Sequence, residues 1–313
     1  MKKGGVGTTG LTLLGHVDLP AHRGEGGFDH AAIDGGRGRL YVAHTANDAV
    51  DVIDLKSDRY LASIEGLKGV AGTLVHEGED LLFTSNRGEN MVAIMSPASQ
   101  DSPIKVVVGH RPNGLAYDPE RGVLLCANVG DSGGGYLPSV TLVDVRAGRP
   151  IATYPMPGRT RWAIFDPEQR LFFVNIADPP RIALIGPGTA ERYIEVPARG
   201  PHGLELDPAA HRLFCACDGG DLVSLDSRSG DVLGVLKLTG APDVVFLNQS
   251  LGHLYVAIGD PGVIDVVDIA AWKRIEVVPT ERGAHTLAHD EDSNRVYAFL
   301  PQTHRMAVFQ DGA

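Results

Sequence analysis

The chain has 313 residues, 43% of them apolar, with 39 glycines, 20 prolines and a formal net charge of −11. That charge, with lysines and arginines scattered rather than clustered, excludes nucleic acid and anionic membrane surfaces as partners. No run of eighteen apolar residues exists to span a membrane, and three cysteines (Cys126, Cys215 and Cys217) cannot complete a disulfide set.

Residues 1–10 read as a flexible N-terminal segment. Two lysines there precede only a short, glycine-broken apolar stretch, too short for a secretory leader. The default compartment is therefore the cytoplasm, with the periplasm or exterior the alternative if a leader has been removed. An orphan strand, Leu11 to Leu19, comes next. From Asp29 onward one phrase recurs: DHAAIDGGRGRLYVAH at Asp29, AGTLVHEGEDLLFTS at Ala71, NGLAYDPERGVLLCAN at Asn113 and RWAIFDPEQRLFFVN at Arg161. It continues as HGLELDPAAHRLFCAC at His202, DVVFLNQSLGHLYVAI at Asp243 and HTLAHDEDSNRVYAFL at His285. The steps between these anchors are 42, 42, 48, 41, 41 and 42 residues. A period of that length, filled with short strand patterns, predicts an all-β, seven-bladed β-propeller, one blade per repeat and one domain over 1–313.

Within a repeat the apolar run after the anchor is the innermost strand, A, and an Asp-Pro turn often follows it, as at Asp118-Pro119 and Asp207-Pro208. Strand B is the LYVAH-type segment, such as Leu40 to His44. Strand C alternates, as in Ala49 to Asp54, and strand D is a looser outer run such as Val232 to Leu238. The seventh repeat runs out of chain after Phe309, so the orphan strand at about 11–19 is predicted to complete it, closing the ring and removing an open sheet edge.

The LYVAH…DAVDVID and GLELDP phrases resemble the YVTN-type propeller repeat of bacterial surface and YncE-like proteins, from Leu11 to Phe309. The resemblance implies the fold and leaves the activity open, since such proteins include enzymes and binding modules alike. Trp-Asp dipeptides of the WD40 kind and kelch Gly-Gly pairs are absent at the matching positions.

The anchors converge on one mouth of the central channel, as the ring Asp29, Ala71, Asn113, Arg161, His202, Asp243, His285. Asp29, His202, Asp243 and His285 come from four consecutive blades, and that His/Asp mix suits a divalent transition metal such as Zn, Mn, Fe or Ni. His30 is a candidate proton-transfer group beside such a metal. Arg161 and Asn113 are candidates for binding an anionic substrate, with Arg161 stabilising developing charge. The 48-residue step reflects an insertion after strand B of blade three, a glycine-rich loop whose Tyr136 is a candidate lid residue able to stack on ligand or donate a proton. The expectation is a small-molecule enzyme, a metal-dependent lactone or ester hydrolase or a lyase. The alternative is a non-catalytic propeller binding a metabolite, metal or protein. A monomer is expected in either case. His211, His253 and His304 fall in turns and read as solvated.

Overall fold

The chain's structure, a computed structural model, describes residues 10–99, 101–131, 133–186 and 189–312, with side chains left aside at 189–191. Ser132, in the blade-three insertion, and most of the expected N-terminal segment lie outside the described residues. Seven four-stranded antiparallel sheets form the ring. Strand A opens one residue before its anchor in blades one to six and two residues after it in blade seven: Phe28–Asp34, Val70–His76, Pro112–Asp118, Thr160–Asp166, Pro201–Asp207, Pro242–Asn248 and Leu287–Asp290. The last blade takes its outer strand from the other end of the chain. Gly10–Asp18 pairs antiparallel with Arg305–Gly312, from Gly10↔Gly312 to Asp18↔Arg305. Among the described residues no helix is long and apolar enough to cross a membrane.

Packing follows from the repeat. The middle of every strand B is fully buried between neighbouring blades, as in Leu40–Ala43 and Leu213–Cys217. Separate apolar clusters fill successive inter-blade layers, so the core is a ring rather than a ball. The three cysteines belong to this core as buried free thiols, and burial pushes the Cys126 and Cys215 thiols up.

Close approach between blades sets the spacing of the innermost strands. A Cβ on Gly203 would lie 2.3 Å from the Asp243 carbonyl oxygen, and one on Gly114 would lie 2.4 Å from that of Arg161. Only glycine fits at these positions, one residue past the anchor, and the next anchor is thereby drawn inward. Side-chain ties complete the link: Asn175 Nδ2 donates to the carbonyl oxygens of His202 and Gly203, both at 3.0 Å. The closing seam has its own tie, in which buried Asp311 accepts from Tyr255 Oη at 2.6 Å and lies 2.7 Å from His253 Nδ1. His253, expected to be solvated, is thus a blade-six partner of blade seven. His44, at the end of strand B in blade one, is likewise buried against Asp51 at 2.7 Å.

Candidate functional site

Two ion-paired groups, one on each side, occupy the mouth. On the first, Arg87 Nη1 lies 3.0 Å from Asp29 Oδ2, and Arg87 Nη2 donates to Asn113 Oδ1 at 2.5 Å. Asn113 therefore faces a guanidinium of its own protein. On the second, Asp218 accepts from Arg161 Nη2 at 3.1 Å and sits 2.7 Å from His202 Nδ1, while His202 Nε2 lies 3.0 Å from Asp243 Oδ1. His285 completes this side more loosely. Its Nδ1 lies 2.8 Å from the Gly283 carbonyl oxygen, leaving Nε2 4.0 Å from Asp243 Oδ2.

Arg87 and Asp218 each follow directly on strand B of their blade, at Leu81–Asn86 and Arg212–Cys217. The corresponding residues elsewhere are Thr45, Val129, Ala177, Gly259 and Pro301, so these two are the charged members of a second column in the repeat. Reading that column beside the anchors would have found them.

Burial works against a charge on His202, but the Asp243 field and the hydrogen bonds to Asp218 and Asp243 outweigh it, and the imidazole is pushed up to about 9. As an imidazolium it donates from both nitrogens to the two carboxylates. Arg161 Nη1, 3.1 Å from Nε2, then stands beside it as a second cation rather than as its donor. Asp243 is partly buried, and its desolvation alone would raise it. The charge and hydrogen bond of His202, then the neighbouring His285, hold it well below the usual carboxylate range instead. A histidine charged at neutral pH is an anion-facing group and a poor general base.

His30 turns down into the channel. Its ring packs on Trp162 with centroids 4.1 Å apart, and its Nε2 is 3.4 Å from Asp29 Oδ1. Burial pulls His30 down, ahead of the opposing pull of Asp29 and Asp243, so it is neutral. Blades one and four lie across the ring from each other, so the His30–Trp162 pair makes a floor beneath the mouth. Tyr136 stacks flat on His110, with centroids 4.3 Å apart and planes within 10°. Its loop folds on itself around Asp131, whose Oδ1 accepts from the Gly135 and Tyr136 amides at 2.9 and 3.3 Å.

Asp29, His202, Asp243 and His285 face one mouth, each with a partner inside the protein. Asp29 is taken by Arg87, and both His202 nitrogens point at carboxylates, leaving no lone pair for a cation. Among the described residues no group of three or more His, Cys, Asp or Glu is placed to hold a metal ion.

At the rim stand Arg111 and Arg159, both exposed and neither with an ion-pair partner among the described residues. Partial burial lowers Arg159, and the like charges of Arg161, Arg111 and Arg87 lower it further, with Asp218 opposing. Four guanidinium groups thus stand around one opening in a protein of net charge −11.

No protein-family model matches the chain, and no curated protein matches it. Among solved structures it is similar to the crystal structure of the WD40 beta propeller domain of Doa1. The TM-score is 0.78 at 14% identity, covering 96% of this chain and 97% of that one. Likeness at that identity shows the fold alone. The chain is a seven-bladed β-propeller with four-stranded blades, its ring closed by the N-terminal strand.

Proposed function

We propose that the chain is a non-catalytic binding propeller whose channel mouth recognises the acidic group of a small molecule. The repeat phrases support reading it as a propeller of the YVTN type. The observation that carries the binding reading is the set Arg87, Arg111, Arg159 and Arg161, whose two outer members have no carboxylate partner among the described residues. Like charges brought together on a rigid scaffold cost free energy unless an anion satisfies them, and guanidinium forks suit carboxylate and phosphate groups. The inner members are aimed by Asp29, Asn113 and Asp218, which is preorganisation for binding. The imidazolium at His202 adds a further cation beneath them.

A metal-dependent hydrolase or lyase is the weaker reading. It needs lone pairs on His202 and a free Asp29, and both are committed to partners inside the protein.

A thermal-shift screen against succinate, citrate and inorganic phosphate at low ionic strength tests the proposal. At least one anion should raise Tm through its preferential binding to the folded state, and added salt should weaken the effect. No shift with any of them, or the same shift in an Arg111→Ala/Arg159→Ala variant, refutes it.

A further inference from the structure

Beneath the His30–Trp162 floor the channel continues as a cavity of about 590 Å³, reaching the proline-bearing A–B turns of the opposite face at Pro119, Pro167 and Pro208. That volume is within the range of small-molecule sites. In six of the seven blades the walls include the third residue past the anchor; blade seven's, Ala288, does not line the cavity. Strand register places these residues at equivalent points, each opposite the third residue of its strand B, for example Ala32↔Tyr41, Glu205↔Phe214 and Phe246↔Tyr255. Six members of this ring are apolar: Ala32, Leu74, Ala116, Ile164, Phe246 and Ala288. The seventh is Glu205.

Glu205 lines the cavity and is not neutralised there. Its Oε1 accepts its own neighbour's amide, Leu206 N–H, at 2.9 Å, and it has no cationic partner among the described residues. Burial pushes the carboxyl up to about 7, against the hydrogen bonds of the Leu206 and Leu247 amides. A carboxyl in apolar surroundings without a cation is costly to keep charged, so the fold gains nothing evident from it. Trp162, Phe165 and Phe246 line the same space, and aromatic faces attract cations. The turns that frame the opening carry Glu77, Glu79 and Glu291, while Arg37 and Arg121 are ion-paired with Asp34 and Asp118, and Arg170 with Glu120. The field at this end therefore favours entry of a cation.

We propose that the lower channel is a second binding site, for a small organic amine whose apolar body fills the aromatic-lined cavity and whose ammonium group pairs with Glu205. The mouth and the lower channel then take ligands of opposite charge from opposite faces. This second site does not depend on the anion reading of the first.

Isothermal titration of the full chain with 4-phenylbutylamine and with its neutral analogue 4-phenylbutan-1-ol tests it. The amine should bind at least about tenfold more tightly than the alcohol. Glu205→Gln, which keeps an acceptor for the Leu206 amide, should abolish that preference. Ala32→Trp, which fills the ring from blade one, should weaken both ligands. Arg111→Ala/Arg159→Ala should change neither, which separates this site from the mouth. The proposal is overturned if the amine fails to bind at millimolar concentration or binds no better than the alcohol. Preference retained in a folded Glu205→Gln protein overturns it as well. Should that variant not fold, the wild-type preference and the Ala32→Trp result decide.

Discussion

Replacing His202 by Gln should remove a pH-dependent part of the protein's stability. His202 is 15% exposed, and its imidazole is raised from an ordinary value of 6.5 to about 9 by Asp243 and Asp218 against the cost of burial. At about 1.4 kcal/mol per unit, the shift corresponds to roughly 3 kcal/mol. The depression of Asp243 describes the same contact from the other side and is not added to it. Below pH 6.5 folded and unfolded chains both carry the proton, so the stabilisation is fully present. Between 6.5 and 9 the folded state holds a proton that the unfolded chain has released, and stability falls as pH rises. On the acid side the contribution is lost as pH falls below about 4 and the unfolded chain's carboxylates take up protons, because Asp243 and Asp218 are both depressed in the folded state. The assay is Tm against pH from 5 to 10 for wild type and His202→Gln, taking the difference so that other titrations cancel. At roughly 2 °C per kcal/mol, the variant should melt about 5 °C lower at pH 6 and converge on wild type by pH 10. A pH-independent difference would refute the reasoning, and so would an imidazole NMR titration of His202 near 6.5.

Three further outcomes are expected. Removing residues 1–18 strips blade seven of its outer strand, exposes Arg305–Gly312 as an open edge and loses the burial of Leu11 and Val17. Those two side chains alone are worth about 3–6 kcal/mol, so the truncated chain should melt far lower and aggregate, as differential scanning calorimetry and size-exclusion would show. Gly203→Ala puts a methyl 2.3 Å from the Asp243 carbonyl oxygen and should cost about 2 kcal/mol or more in chemical denaturation. Arg159→Ala relieves repulsion from Arg161, Arg111 and Arg87, so it should leave Tm unchanged or raised while weakening anion binding about tenfold by titration.

The fold was legible because a propeller writes itself along the chain as a period, with strand alternation and turn residues repeating every blade. The closure was legible for the same reason: blade seven lacks a strand, and Leu11 to Leu19 is a strand without a blade. The anchors' convergence on one mouth also followed from the period. What they do there did not. Side-chain partners depend on long residues arriving from other loops, so Asp29 and Asn113 are claimed by Arg87, and His202 by Asp218. His30 and Trp162 sit at equivalent positions in blades one and four, but only the ring's geometry shows that they meet. Glu205 was visible as one acid among apolar neighbours in its column, yet strand A phrases such as GLELD read as alternation unless the seven are stacked. Tyr136 looked like a lid tip because three glycines precede it. The Asp131 carboxylate, which accepts from the Gly135 and Tyr136 amides, and the stacking of Tyr136 on His110 were not legible in the spacing.

The central claim is that the mouth is an anion site built from arginines. Isothermal titration of the anion giving the largest thermal shift, against wild type and Arg111→Ala/Arg159→Ala at pH 6.5, tests it most directly. The account predicts one site per chain, an affinity that falls with added salt, and a loss of about tenfold or more in the double variant. Binding that survives the double variant unchanged, or that appears only after a divalent metal is added, would contradict it.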